Sequence, residues 1–127
     1  MGVIIATAQD AAALLVPLFS GADGEKVVTA HLDWDLRLIE TIEGRSGSRD
    51  EVELPIRAII EDALRLKSAG LIVAHNHPSG GPRPSDEDLR STRELAATAA
   101  SLDILLHDHL IVGADGDCRS LRALGLL

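Results

Sequence analysis

The chain has 127 residues and a formal net charge of -8, with 12 Lys and Arg against 20 Asp and Glu. That balance disfavours non-specific phosphate binding, which relies on clustered cations. Aromatic residues make up 2%, with no Tyr, one Trp and one Phe, so a base-stacking platform is missing and the core must be built from Leu, Ile, Val and Ala.

The N-terminal stretch MGVIIATAQD is apolar but carries no basic residue and meets Asp10 early, so no secretory leader is expected. Thr7-Ala8-Gln9-Asp10 matches a capping box. Ala11, Leu14, Leu15 and Leu18 then share a helical face, which Pro17 should kink or shorten. SGADG at 20–24 reads as a turn. Lys26 to Leu32 is rich in β-branched residues and predicts a strand, with Leu36 to Ile42 as its hairpin partner across Asp33-Trp34-Asp35. GRSGSRD at 44–50 predicts a flexible loop. Ile56, Ile59, Ile60, Ala63 and Leu64 form a helical stripe, so 56–67 predicts an amphipathic helix. Leu71-Ile72-Val73-Ala74 is a continuous apolar run suited to a central strand covered on both faces. A long helix is predicted from Asp86 to Leu102, a strand from Ile104 to Val112, and a turn at 113–116 into a short final segment. The order helix, hairpin, helix, strand, helix, strand implies an α/β layered domain spanning 1–127, with a mixed central sheet flanked by helices.

Residues 74–88 read AHNHPSGGPRPSDED. If the strand of Leu71 to Ala74 continues, His75 and His77 project to the same face and Asn76 to the other. They leave at the strand's carboxyl end, where open α/β sheets commonly bind ligands. Pro78 stops further pairing, and Ser79 to Pro84 carries the chain away. Two readings are open. In one, Ser85 and Asp88 form a capping box and Asp86, Glu87 and Asp88 complement a helix N-terminus, with the histidines simply hydrogen-bonded. In the other, two same-face histidines and one returning carboxylate form the N,N,O set of a catalytic zinc site, with a fourth position left for water.

His75-Asn76-His77-Pro78-Ser79-Gly80, followed by Pro84-Ser85 and Asp88, resembles the JAMM motif: His-x-His, seven residues, Ser, two residues, Asp. More narrowly, this stretch together with Asp108-His109-Leu110-Ile111-Val112-Gly113 and the segment from Ser120-Leu121-Arg122 to Leu127 is similar to the RadC-like branch of JAB/MPN domains. The resemblance covers the chain from about Asp10 onward. It implies a JAB/MPN, cytidine-deaminase-like architecture and Zn²⁺ held by His75, His77 and Asp88. It also implies a catalytic glutamate upstream of a Leu-Asp pair at an early strand's end, here Glu25 before Leu32-Asp33. Glu25 would then act as general base and acid, and Ser85 as donor to the oxyanion of a tetrahedral intermediate. The implied activity is that of a zinc metalloprotease or isopeptidase acting on a protein or peptide substrate.

Other residues carry less. His107-Asp108-His109 repeats the His-x-His spacing, but the family has no metal role there, so Asp108 and His109 are read as structural or as supporting the ligands. No Gly-x-Ser-x-Gly elbow supports Ser79 as a nucleophile. Cys118 is the single cysteine, which excludes an internal disulfide and fits a reducing, cytoplasmic location; nothing nearby argues for a lowered thiol pKa. No apolar run approaches the ~20 residues that span a membrane. His31 is given no role. Longer RadC-like proteins carry an N-terminal helix-hairpin-helix domain that is not expected here, and any DNA contact carried there would be missing. Where the family shows His-Pro-Arg-Glu, this chain has Glu53-Leu54-Pro55-Ile56-Arg57-Ala58, which bears on specificity. Two alternatives stand beside the hydrolase: a DNA-repair-associated protein or metal-dependent nuclease, disfavoured by the acidic balance, and a non-catalytic MPN binding module, disfavoured by the complete ligand set. A homodimer is compatible with all three.

Overall fold

Thr7 opens the first helix, α1 (Ala8–Leu15), with the expected reciprocal bonds: its side chain accepts from the Asp10 amide and the Asp10 carboxylate accepts from the Thr7 amide. Pro17 ends the α-helical geometry, and the chain tightens into a 3-10 turn over Val16–Phe19. The elements that follow are β1 (Val27–Leu32), β2 (Leu38–Gly44), α2 (Ile56–Leu66), β3 (Gly70–Asn76), α3 (Asp86–Ala100), β4 (Leu105–Val112) and β5 (Cys118–Ser120). The computed structural model describes residues 2–44 and 54–127. All but Gly44 of the expected 44–50 loop, and Glu53 of the 53–58 stretch, lie outside the described residues.

The strands form a single mixed sheet in the order β2-β1-β3-β4-β5. β3 runs antiparallel to β1 and parallel to β4, while β2 and β5 are antiparallel edges. Alternate residues of β3 serve opposite cores, as its continuous apolar run predicts. Leu71 and Val73 pack with Val27, Ile59, Ala63 and Leu95 beneath α2 and α3. Ile72 and Ala74 pack with Ala11, Leu15, Phe19 and Val28 beneath α1. The result is an α/β three-layer arrangement with β3 buried along its whole length. No helix among the described residues is long and apolar enough to cross a membrane.

Several boundaries differ from the sequence expectation, each for a local reason. β2 starts at Leu38 rather than Leu36 because Leu36 sits in the left-handed region, φ 65°. The Asp33 carboxylate holds that wider turn by accepting from the Asp35 and Arg37 amides. α3 ends at Ala100 rather than Leu102. Asp103 turns left-handed at φ 59°, and the Ile104 amide reaches back to the Ala99 carbonyl at 2.9 Å, a Schellman-type closure. The final segment contains a short strand, β5, that the sequence did not announce. β4 contains one extra residue: Leu71 pairs with Leu106 and Ile72 with Asp108, leaving His107 as a bulge. Beyond it the side-chain alternation of β4 is inverted, so His109 pairs with Val73 on the α3 side of the sheet.

Candidate metal centre

The site is built at the carboxyl end of β3. His75 continues the Leu71, Val73 alternation and points toward α3, fully buried. His77 lies one residue beyond β3, yet its amide still bonds the Val112 carbonyl at 2.8 Å, so the parallel ladder with β4 holds its direction. The Pro/Gly turn then bends back over the strand end. It seats closely against Gly113, where a β-carbon would lie 3.0 Å from Pro82. The turn delivers the Gly81 carbonyl to within 3.0 Å of His77 Nδ1. A carbonyl only accepts, so His77 carries its proton on Nδ1 and turns Nε2 inward.

At the far side of the turn Ser85 caps α3. Its hydroxyl oxygen accepts from the Asp88 amide at 3.0 Å, and its own amide donates to Asp88 Oδ2 at 2.7 Å. The capping box is therefore present. The same carboxylate also faces both rings, with Oδ1 3.0 Å from His75 Nε2 and Oδ2 3.2 Å from His77 Nε2. The two open readings of Ser85 and Asp88 do not exclude each other, because the box is what aims the carboxylate. Asp88 is 2% exposed. Burial pushes its carboxyl up, but hydrogen bonds and charge from His75 and bonds from Ser85 outweigh that and hold it well below the usual carboxylate range.

The structure thus brings His75, His77 and Asp88 together, with one potential ligand atom from each within 4.8 Å of the others. The two Nε2 atoms are 3.3 Å apart. Donors on a tetrahedral ion with bonds of ~2.0–2.1 Å are separated by about 3.3 Å. The two Nε2 atoms have that separation, and each has one oxygen of the Asp88 carboxylate beside it, Oδ1 for His75 and Oδ2 for His77.

Glu25 precedes β1 and is not part of this cluster of three. Val27, two residues on, pairs with His75; Glu25 itself lies before the strand and lines a surface pocket with Asp23, Lys26, Glu43 and Gly44. Its Oε2 is buried and has no hydrogen-bond partner among the described residues, a state that calls for an explanation. Asn76, on the face opposite the rings, brackets Glu25: its Oδ1 accepts from the Lys26 amide at 2.8 Å and its Nδ2 donates to the Gly24 carbonyl at 3.0 Å. Ser85 is exposed, and its hydroxyl proton is not used by the cap bond.

Sequence reasoning missed two neighbours and underrated a third. Asn76 was legible only as the residue opposite the ligands. Thr92, four residues after Asp88, donates to the Asp88 carbonyl at 2.6 Å. His109 reaches His75 directly, its Nε2 2.6 Å from His75 Nδ1. Burial, reinforced by the neighbouring His75, pushes the His109 ring's pKa well below that of an ordinary histidine. Asp108 turns to the other face, where Ser120 and the Arg122 amide bond its carboxylate. His31 bonds Ser68 within the sheet core. Cys118 is half-buried, and burial together with Asp108 pushes its thiol up, away from reactivity.

A family model described as a RadC-like JAB domain matches residues 5–126. Curated relatives agree. A UPF0758 protein of Chloroflexus aurantiacus is 39% identical over 122 residues, covering 96% of this chain and 53% of that protein. One of Burkholderia mallei is 48% identical over 90 residues, 71% of this chain and 32% of its own length. One of Rhodobacter capsulatus is 41% identical over 96 residues, 76% of this chain and 44% of its own. The chain spans about half the length, or less, of these relatives.

Proposed function

This chain belongs to the RadC-like JAB domain family, and from that premise we propose that it is a zinc-dependent hydrolase of peptide or isopeptide bonds. The observation that carries the reading is the convergence of two imidazole Nε2 atoms, 3.3 Å apart, on one buried carboxylate. Zinc is the ion that such a mixed nitrogen and oxygen set favours. When bound, it polarises a carbonyl and makes water acidic enough to supply a nucleophile near neutral pH.

The chain's own groups divide the remaining work. Glu25 Oε2, buried and without a partner among the described residues, is the acceptor for the attacking water's proton and returns it to the departing nitrogen. Asn76 holds that carboxylate in place through the backbone on either side of it. The Ser85 hydroxyl, whose oxygen is engaged by the helix cap, keeps its proton to donate to the oxyanion. His77 keeps Nε2 bare through its bond to Gly81.

The test is cleavage of a mixed library of peptides and ε-amino-linked isopeptides, with and without a chelator and with zinc restored. Chelator-sensitive cleavage that Glu25→Gln abolishes while zinc content is retained is the expected result. Full activity in Glu25→Gln removes Glu25 from the mechanism. Salt-sensitive retention of DNA, with no cleavage of either linkage, would replace the peptide reading with a nucleic-acid one.

A further inference from the structure

His75 faces the cluster with one ring nitrogen and the protein interior with the other, and the interior contact fixes which nitrogen is protonated. Thr92 Oγ1 lies 2.6 Å from the Asp88 carbonyl oxygen. Two oxygens that close need a proton between them, and only the hydroxyl can supply it. Having donated there, Thr92 can only accept from His109 Nδ1, 2.5 Å away, so His109 Nδ1 bears a proton. The His109 ring is fully buried, and among the described residues its nitrogens bond only Thr92 and His75. A buried ring without an anionic hydrogen-bond partner stays neutral, which leaves its Nε2 bare. His75 Nδ1, 2.6 Å from that atom, must therefore donate. The reverse direction would leave the Thr92 and Asp88 oxygens in contact with no proton between them.

We propose that Thr92 and His109 are positioning residues that hold the proton of His75 on Nδ1, so that Nε2, whose proton Asp88 Oδ1 accepts at 3.0 Å in the metal-free chain, is the nitrogen given over to the metal. The proposal rests on the metal-centre reading above. It explains a difference between the two rings: His77 is oriented by a carbonyl at the surface, where water could substitute, whereas His75 is fully buried and depends on this relay. The relay also joins two members of the cluster, since it starts on the backbone of Asp88 and ends on the side chain of His75.

The test uses ¹⁵N-histidine-labelled protein and zinc alone. In the metal-free parent, long-range ¹H–¹⁵N spectra should show His75 protonated at Nδ1, and added zinc should shift Nε2. Thr92→Val, nearly isosteric, should lower zinc affinity about 10- to 100-fold in competition with a chromophoric chelator. Thr92→Ser, which keeps the hydroxyl, should restore it. A bare Nδ1 on His75 in the parent overturns the relay, as does parental zinc affinity in Thr92→Val. If Thr92→Val does not fold, the parental spectrum decides alone. A parent that binds no zinc while His75 keeps its Nδ1 proton overturns the metal centre, a result distinct from failure of the relay.

Discussion

The sequence contains His-x-His twice, on neighbouring parallel strands, and the two pairs end in different places. His75 and His77 stand at the end of β3, where the chain leaves the sheet and a rigid turn returns Asp88 to them. His107 and His109 lie within β4, with no chain end to bring a third donor back. His107 is taken up by the bulge, and His109 is pressed against His75 from behind. Spacing alone therefore does not make a ligand pair. The turn that follows, and the capped helix that aims a carboxylate back along it, make the difference.

The largest effect should separate the pairs directly. His77→Ala should lose stoichiometric zinc in elemental analysis, while His107→Ala should keep it; equal loss in both would erase the distinction. Next, Glu25→Gln should retain zinc and lose about 10²- to 10⁴-fold in turnover. Asn76→Ala should fall between that variant and the parent, because it frees the backbone around Glu25 while leaving the His, His, Asp set in place. Turnover of Asn76→Ala equal to the parent's would show that the bracket has no bearing on the base.

Metal removal gives a smaller, thermodynamic measure. With free zinc at about 100 times its dissociation constant, the folded state gains about 2.7 kcal/mol. Chelation should lower the melting temperature of the parent and of His107→Ala, and leave that of His77→Ala where it was. The second pair should instead show in the acid stability of the metal-free protein. Burial lowers the pKa of His107 and, far more, of His109 from the ordinary 6.5, with Arg122 and His75 respectively adding to it. The unfolded chain takes up protons below about pH 6.5 while these folded rings resist. Their contribution is therefore intact above that pH and is lost as pH falls. Buried His31 acts in the same direction. Melting curves from about pH 7.5 to about pH 5.5 should show the decline, and His109→Gln should flatten it. A profile unchanged by that substitution would mean that His109 titrates normally.

The smallest effect concerns the cap. Asp88→Ala removes the acceptor for the Ser85 amide and should destabilise the metal-free fold by about 1 kcal/mol beyond any change in zinc binding. Denaturant titration in the presence of chelator would measure it.

Much of this was legible in the chain because short-range chemistry dictates it. Thr7 with Asp10 and Ser85 with Asp88 announce helix starts by side-chain reach alone. The unbroken Leu71 to Ala74 run announces a strand buried on both faces. The contacts that were not legible depend on register between distant segments. Asn76 meets Gly24 and Lys26 across fifty residues of sequence, and nothing near Asn76 encodes that. The side of the sheet on which His109 falls depends on the extra residue at His107, which strict alternation cannot anticipate. Leu36 illustrates a third kind of miss, since an aliphatic residue at φ 65° runs against its own backbone preference.

That extra residue also sets a rule for how the protein can change. If His107 were drawn into regular pairing with Ile72, Asp108 would fall opposite Val73 and His109 opposite Ala74, so an anion would stand behind His75 and the imidazole would be stranded under α1. Space for the bulge exists because position 70 has no side chain; a methyl group there would come within 2.4 Å of the His107 ring. Removing His107 itself would leave Asp108 opposite Ile72 and His109 opposite Val73, whereas pulling it into regular pairing with Ile72 would rewire the centre while leaving His75, His77 and Asp88 untouched in the sequence.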